Sequence, residues 1–132
     1  MKHERPYGLL PRRMDSHGGW IASPIDLLRL VVKTDGFTAK TDILTASDEA
    51  AMAAGSAANS GYGMGEMLGN GWRGHNGGMA GTIGFLVRRD DGFSFAVLVN
   101  TRVGNDQYCS ELKGVLDSIV ASVKSWPSYD LF

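Results

Sequence analysis

Two strand-like runs, residues 82–89 and 93–100, constrain this chain more than any other feature. Arg89-Asp90-Asp91-Gly92 lies at their junction, and Asp-Gly between alternating apolar residues is a hairpin signal. Phe93, Phe95, Val97 and Val99 line one face of the second run, while Ala96 and Leu98 make the other face partly apolar. A sheet that is greasy on both sides needs cover on both sides, so the remaining chain has to supply layers rather than a tail. Leu112, Val115, Leu116, Ile119, Val120 and Val123 recur at helical spacing. That period predicts an amphipathic helix over about 107–124, packed across the hairpin.

Upstream, Ser23-Pro24-Ile25-Asp26 carries a helix start: a capping serine, proline at the first helical position and a capping-box acid. Leu27, Leu28, Leu30, Val31 and Val32 follow, a broad apolar surface that implies deep burial, and Thr34-Asp35-Gly36 stops the helix. A second helix is expected from Thr45 or Ser47 through an Ala-rich stretch to Gly55. After a flexible link at 56–60, glycines alternate with larger residues over 61–68, which suits a strand packed close to another backbone. The order is helix, helix, three or four antiparallel strands, helix: an α+β layout. Residues 1–19 read as an irregular N-terminal segment, 20–126 as the folded part and 127–132 as a tail.

Composition narrows the function. A length of 132 residues fits one domain with a modest core. A net charge of −1, with Lys and Arg scattered, leaves no electrostatic footprint for nucleic acid. The lone Cys109 excludes an internal disulfide and a CxxC site, and no apolar run approaches the roughly 20 residues of a membrane span. The start lacks the apolar core of a signal peptide, and the compartment stays open. His3, His17 and His75 show no metal-ligand spacing, so no metal and no cofactor is expected. Glycine is the outlier at 18 residues, concentrated between Gly55 and Gly84.

Within that region, Gly74-His75-Asn76-Gly77-Gly78 sits just before the two strand-like runs. Taken alone, His75 would read as a loop histidine satisfying local hydrogen bonds. Its setting among glycines argues instead for one wall of an active site. The segment does not fit a phosphate cradle, having neither G-x-x-x-x-G-K-S/T nor G-x-G-x-x-G after a strand.

The run from Gly18 to Arg102 resembles the C-terminal part of the serine β-lactamase-like hydrolases, which include class C β-lactamases, penicillin-binding proteins, D-aminopeptidases and esterases. Five segments carry the resemblance in the family's order: Gly18-Gly19-Trp20-Ile21-Ala22-Ser23-Pro24-Ile25-Asp26-Leu27; Leu44-Thr45-Ala46-Ser47-Asp48-Glu49; Tyr62-Gly63-Met64-Gly65; Gly74-His75-Asn76-Gly77-Gly78-Met79-Ala80-Gly81; and the run 95–101. The fourth looks like the His-x-Gly form of the family's third active-site motif.

The resemblance implies acyl transfer, in which a serine in Ser-x-x-Lys attacks a carbonyl and a tyrosine in Tyr-x-Asn or Tyr-x-Ser helps move protons. It implies that the third motif lies on an edge strand, with His75 facing the substrate's polar or carboxylate end. Asn76, Gly77 and Gly78 would line the substrate groove, and the Gly78 N–H would be one of two oxyanion donors. Tyr7 and Tyr62 lack the Tyr-x-Asn or Tyr-x-Ser context. Ser110-Glu111-Leu112-Lys113 spells Ser-x-x-Lys but follows the His-x-Gly segment, and patterns this loose arise by chance.

Plainer roles are expected for several other residues. Trp20 and Trp72 read as packing, Met64, Met67 and Met79 as gap fillers, Cys109 as a buried small hydrophobe, and Arg88, Arg89, Asp90 and Asp91 as a solvated hairpin end. The chain is therefore expected to be the C-terminal portion of a serine hydrolase acting on amide, ester or β-lactam bonds, inactive without its nucleophile-bearing half. Its partners would be a small-molecule or peptide-like acyl substrate and that missing half, with self-association open. The alternative is a binding or assembly module that reuses the scaffold without catalysis.

Overall fold

The computed structural model describes residues 14–102 and 107–129, which fall into two separate compact units. The first holds two helices, α1 (Pro24–Val32) and α2 (Ala46–Met52), and four strands, β1 (Met67–Gly69), β2 (Trp72–Met79), β3 (Thr82–Arg89) and β4 (Ser94–Val99). The second holds α3 (Gln107–Ser122). Three helices and one antiparallel sheet make the α+β fold expected from the sequence.

Both short helices begin where local chemistry dictates. Ser23 accepts from the Asp26 N–H while the Asp26 carboxylate accepts from the Ser23 N–H, a complete capping box ahead of Pro24. Thr45 and Asp48 repeat the device at α2, which ends at Met52 rather than at Gly55. Of the five apolar residues expected deep in α1, only Val31 is buried, and Leu30 is about half exposed. A nine-residue helix resting on a four-stranded sheet has only one face to hide, and α1 packs on β3 and β4.

The sheet is a meander in the order β1-β2-β3-β4. Ile83↔Val99, Phe85↔Val97 and Val87↔Phe95 face each other across β3 and β4. Directly opposed residues share a face, so these six form one apolar surface, on which Ile83, Phe85 and Val87 are buried. Leu86↔Ala96 and Gly84↔Leu98 occupy the other face. The hairpin at 89–93 forms as expected: the Arg89 N–H donates to the Phe93 carbonyl, and Gly92 takes φ +93°.

The strand expected over 61–68 does not form. Only Met67–Gly69 is strand, and Tyr62 meets Met67 through an isolated antiparallel bridge. Between them the chain reverses, with Gly65 at φ +83° and the Gly63 N–H bonded to the Glu66 carbonyl. A left-handed glycine turns the chain back where an extended one would have carried it on. The histidine–glycine segment, just ahead of the two clearest strands and placed on a strand by the family resemblance, is β2.

Residues 14–19 are turns, and residues 1–13, including His3 and Tyr7, lie outside the described residues. Residues 127–129 have no regular structure, and the rest of the expected tail also lies outside. In the second unit α3 ends at Ser122, two residues short of the expected 124, and Cys109 is buried as expected.

Candidate active site

β2 changes character halfway along. Trp72, Arg73 and Gly74 pair with β1 on one side and with β3 on the other. β1 has no partner for His75 and the residues after it, so among the described residues His75–Met79 pairs with β3 alone and forms an edge of the sheet. The two-residue loop Ala80-Gly81 closes on Met79↔Thr82, and antiparallel pairs alternate between hydrogen-bonded and non-hydrogen-bonded from there. By that alternation the backbone groups of His75 and Gly77 engage β3, whereas the Asn76 carbonyl and the Gly78 N–H point away from it.

The four expected site residues therefore share one strand but divide between its faces. His75 lies opposite Leu86 and Gly77 opposite Gly84 on one face; Asn76 lies opposite Phe85 and Gly78 opposite Ile83 on the other. Among the described residues a side chain at Gly77 would meet no atom within 4 Å, so the surface above it is open. Above Gly78 the Arg102 Nε stands 3.6 Å from where a Cβ would be.

His75 is exposed but held at both ring nitrogens. Its Nδ1 lies 2.5 Å from the carbonyl oxygen of Asn76, and its Nε2 lies 2.9 Å from the Tyr62 hydroxyl. The Tyr62 ring meets the imidazole edge-on, with centroids 5.8 Å apart and planes at 86°. The reversal at Gly65 places Tyr62 there: Tyr62 bridges Met67, and Met67 pairs with Gly74, the neighbour of His75.

Beneath His75 lies a charged cluster. The Arg73 guanidinium binds the Glu49 carboxylate, donates to the Thr34 carbonyl at 2.9 Å and stands 3.5 Å from Glu66. Arg88 donates to the Asp35 carbonyl at 3.0 Å and stacks 4.0 Å over the Phe37 ring. Burial pushes the Asp35 carboxyl above the usual range, against the Phe37 N–H bonded to it, with the nearby Asp42 charge adding to the rise. A cleft of about 350 Å³ is lined by Glu49, Arg73, Arg88, Asp35 and Trp72, and a smaller one of about 110 Å³ by His75, Arg73, Glu66, Leu86 and Val31.

Several plain readings are corrected by these contacts. Arg88 belongs to the packed cluster rather than to a solvated hairpin end, although Arg89 and Asp91 do pair at its tip. Trp20 is 80% exposed and its Nε1 donates to Asp15 at 3.3 Å, so it is a surface residue ahead of α1 rather than packing. Met64 is 66% exposed because it sits at the apex of the reversal, where there is no gap to fill. Trp72 does pack: its indole covers Gly69 so closely that a Cβ there would overlap it. Ser110 and Lys113 lie on α3, where Lys113 pairs with Asp117 at 2.7 Å.

Sequence reasoning missed the Tyr62–His75 contact and the Arg73–Glu49 pair. Both join residues far apart in the chain, and no local pattern marks them. Among the described residues no group of three or more His, Cys, Asp or Glu side chains could hold a metal ion, and no helix is long and apolar enough to cross a membrane.

Comparison with known proteins agrees with the arrangement. No curated protein and no solved structure matches the chain. A family model described as Beta-lactamase matches residues 2–118, a span that takes in both short helices, the whole sheet and most of α3. With that match covering most of its length, this chain belongs to the Beta-lactamase family of hydrolases.

Proposed function

We propose that β2 is one wall of the active site of a serine hydrolase that cleaves amide, ester or β-lactam bonds through an acyl-serine intermediate. The observation that supports this most is the bare edge His75–Met79, with an outward-pointing Gly78 N–H and open space above Gly77. A small or peptide-like acyl substrate lies along that edge. Its carbonyl oxygen takes one hydrogen bond from the Gly78 N–H and a second from the nucleophile's own N–H. The serine Oγ attacks the carbonyl carbon while a lysine takes its proton; the leaving group departs with a proton, and water then releases the acyl group. Serine, lysine and the proton-shuttling tyrosine come from a part of the enzyme outside this chain, which alone has an oxyanion donor and nothing to acylate.

Two measurements test the reading. After exposure of the chain to a labelled fluorophosphonate or a penicillin, intact mass should show no adduct; a stoichiometric adduct on any residue overturns the predicted inactivity. The coding region upstream of Met1 should carry an in-frame Ser-x-x-Lys followed by Tyr-x-Asn or Tyr-x-Ser. A stop codon or an unrelated domain there would replace the hydrolase with a non-catalytic binding module.

A further inference from the structure

We infer that Tyr62 is a positioning residue that holds His75 as the neutral tautomer protonated on Nδ1. The argument starts from the Asn76 carbonyl. In the alternation of the β2–β3 ladder it points away from β3, and the His75 Nδ1 lies 2.5 Å from it. A carbonyl oxygen can only accept, so Nδ1 carries the proton. A neutral imidazole with its proton on Nδ1 has a lone pair on Nε2, and the Tyr62 hydroxyl, 2.9 Å away, donates to it. The Asn76 contact selects this tautomer of the neutral ring and the Tyr62 hydroxyl, which can donate or accept, completes it by donating; it is the tautomer that a free histidine in water populates less.

The turn that delivers Tyr62 serves this contact. Tyr62 is half-buried, bridged to Met67 and set edge-on to the imidazole, so its hydroxyl reaches Nε2 from a fixed side rather than from a mobile loop tip. In the groove, which rests on the hydrolase reading above, the consequence concerns what the substrate meets. Both ring nitrogens are engaged, and His75 offers no N–H at this point. What remains open is the phenolic oxygen of Tyr62, which has lone pairs to spare. With the ring neutral, the wall at this point is an uncharged hydrogen-bond acceptor, suited to a substrate group that brings an N–H or O–H rather than a carboxylate.

Nitrogen-15 spectra of the chain with labelled histidine, recorded where the ring is neutral, read the tautomer directly. The His75 Nδ1 should resonate as a protonated nitrogen and Nε2 as an unprotonated one. In Tyr62→Phe, with the backbone amide spectrum otherwise retained, the populations should move towards Nε2–H. A wild-type ring already protonated on Nε2 overturns the inference, and so does a Tyr62→Phe variant that keeps the Nδ1–H form. The wild-type arm decides even if the variant does not fold. No turnover is involved, so an absent upstream nucleophile would end the hydrolase reading and leave the tautomer standing, while the wrong tautomer would do the reverse.

Discussion

Arg73 on β2 and Glu49 on α2, 24 residues apart, form an ion pair with each side chain more than nine-tenths buried. Arg73 also reaches the Thr34 carbonyl beyond the end of α1, so one guanidinium joins both short helices to the sheet. Removing one member of a buried pair strands the other charge in a medium that solvates it poorly. Glu49→Ala or Arg73→Ala should each cost about 3–5 kcal/mol in urea unfolding, and replacing both by methionine should cost less than either. A single-variant loss under about 1 kcal/mol, typical of exposed pairs, would mean that the cluster is solvated after all.

Two glycines on the same strand should respond in opposite ways. A Cβ at Gly74 would fall 2.0 Å from the Leu86 carbonyl oxygen, a backbone atom that cannot swing aside, so Gly74→Ala should cost at least about 1–3 kcal/mol. Gly77→Ala meets open space and loses only unfolded-state freedom, so its thermal midpoint should hold or rise slightly. If β2 is the groove wall, the complete enzyme carrying Gly77→Ala should nevertheless acylate more slowly than wild type. Unchanged acylation would remove Gly77 from the groove.

What could be read from the sequence was whatever is decided within a few residues. Ser23 with Asp26 and Thr45 with Asp48 announce helix starts because both partners lie within one turn. The Asp91-Gly92 hairpin announces itself in the same way. Tyr62 escaped because its place depends on the φ of Gly65, which a glycine alternation does not disclose. Arg73 and Glu49 escaped because a buried ion pair has no spacing of its own. The glycines of β2 hid its strand character from the residue period, leaving the family resemblance to place it on a strand: the alternation that marks β3 and β4 needs side chains, and Gly74, Gly77 and Gly78 have none.

Acid should act on the carboxylates with two signs. Hydrogen bonds from Ser23 and Thr45 hold the Asp26 and Asp48 carboxyls below the usual 3.8. Their contribution is present above the unfolded value and is lost as pH falls through the lower folded one. Asp35 runs the other way: burial raises its folded pKa above 3.8, so the cost of its charge is relieved as pH falls towards the unfolded value. Asp26→Asn should flatten the loss of stability below pH ~4, while Asp35→Asn should make the loss steeper just above pH ~4, where the charge of Asp35 is being relieved. Identical slopes for the two variants would contradict the assignment.

The chain by itself should self-associate. Trp20, Ile21, Ile25 and Leu30 are all exposed around α1, Ile21 almost completely. Exposed apolar surface of this kind drives contact between molecules. Sedimentation should show mass rising with concentration, and the double variant Ile21→Lys, Leu30→Lys should reduce it. A wild-type chain that stays monomeric at high concentration would show that this surface is tolerated alone.

The point where β1 stops has a consequence for how such a protein can be made and kept. Natural sheets blunt their open edges with lysine, proline or a bulge, which discourages a stranger's strand from zipping on. From His75 to Met79 this edge carries a histidine, an asparagine, two glycines and a methionine, with none of those guards. A groove that receives an extended substrate needs the same unobstructed backbone that invites misassembly. Substitutions chosen to improve solubility at that edge would be drawn towards Gly77 and Gly78, the positions where a side chain would close the groove.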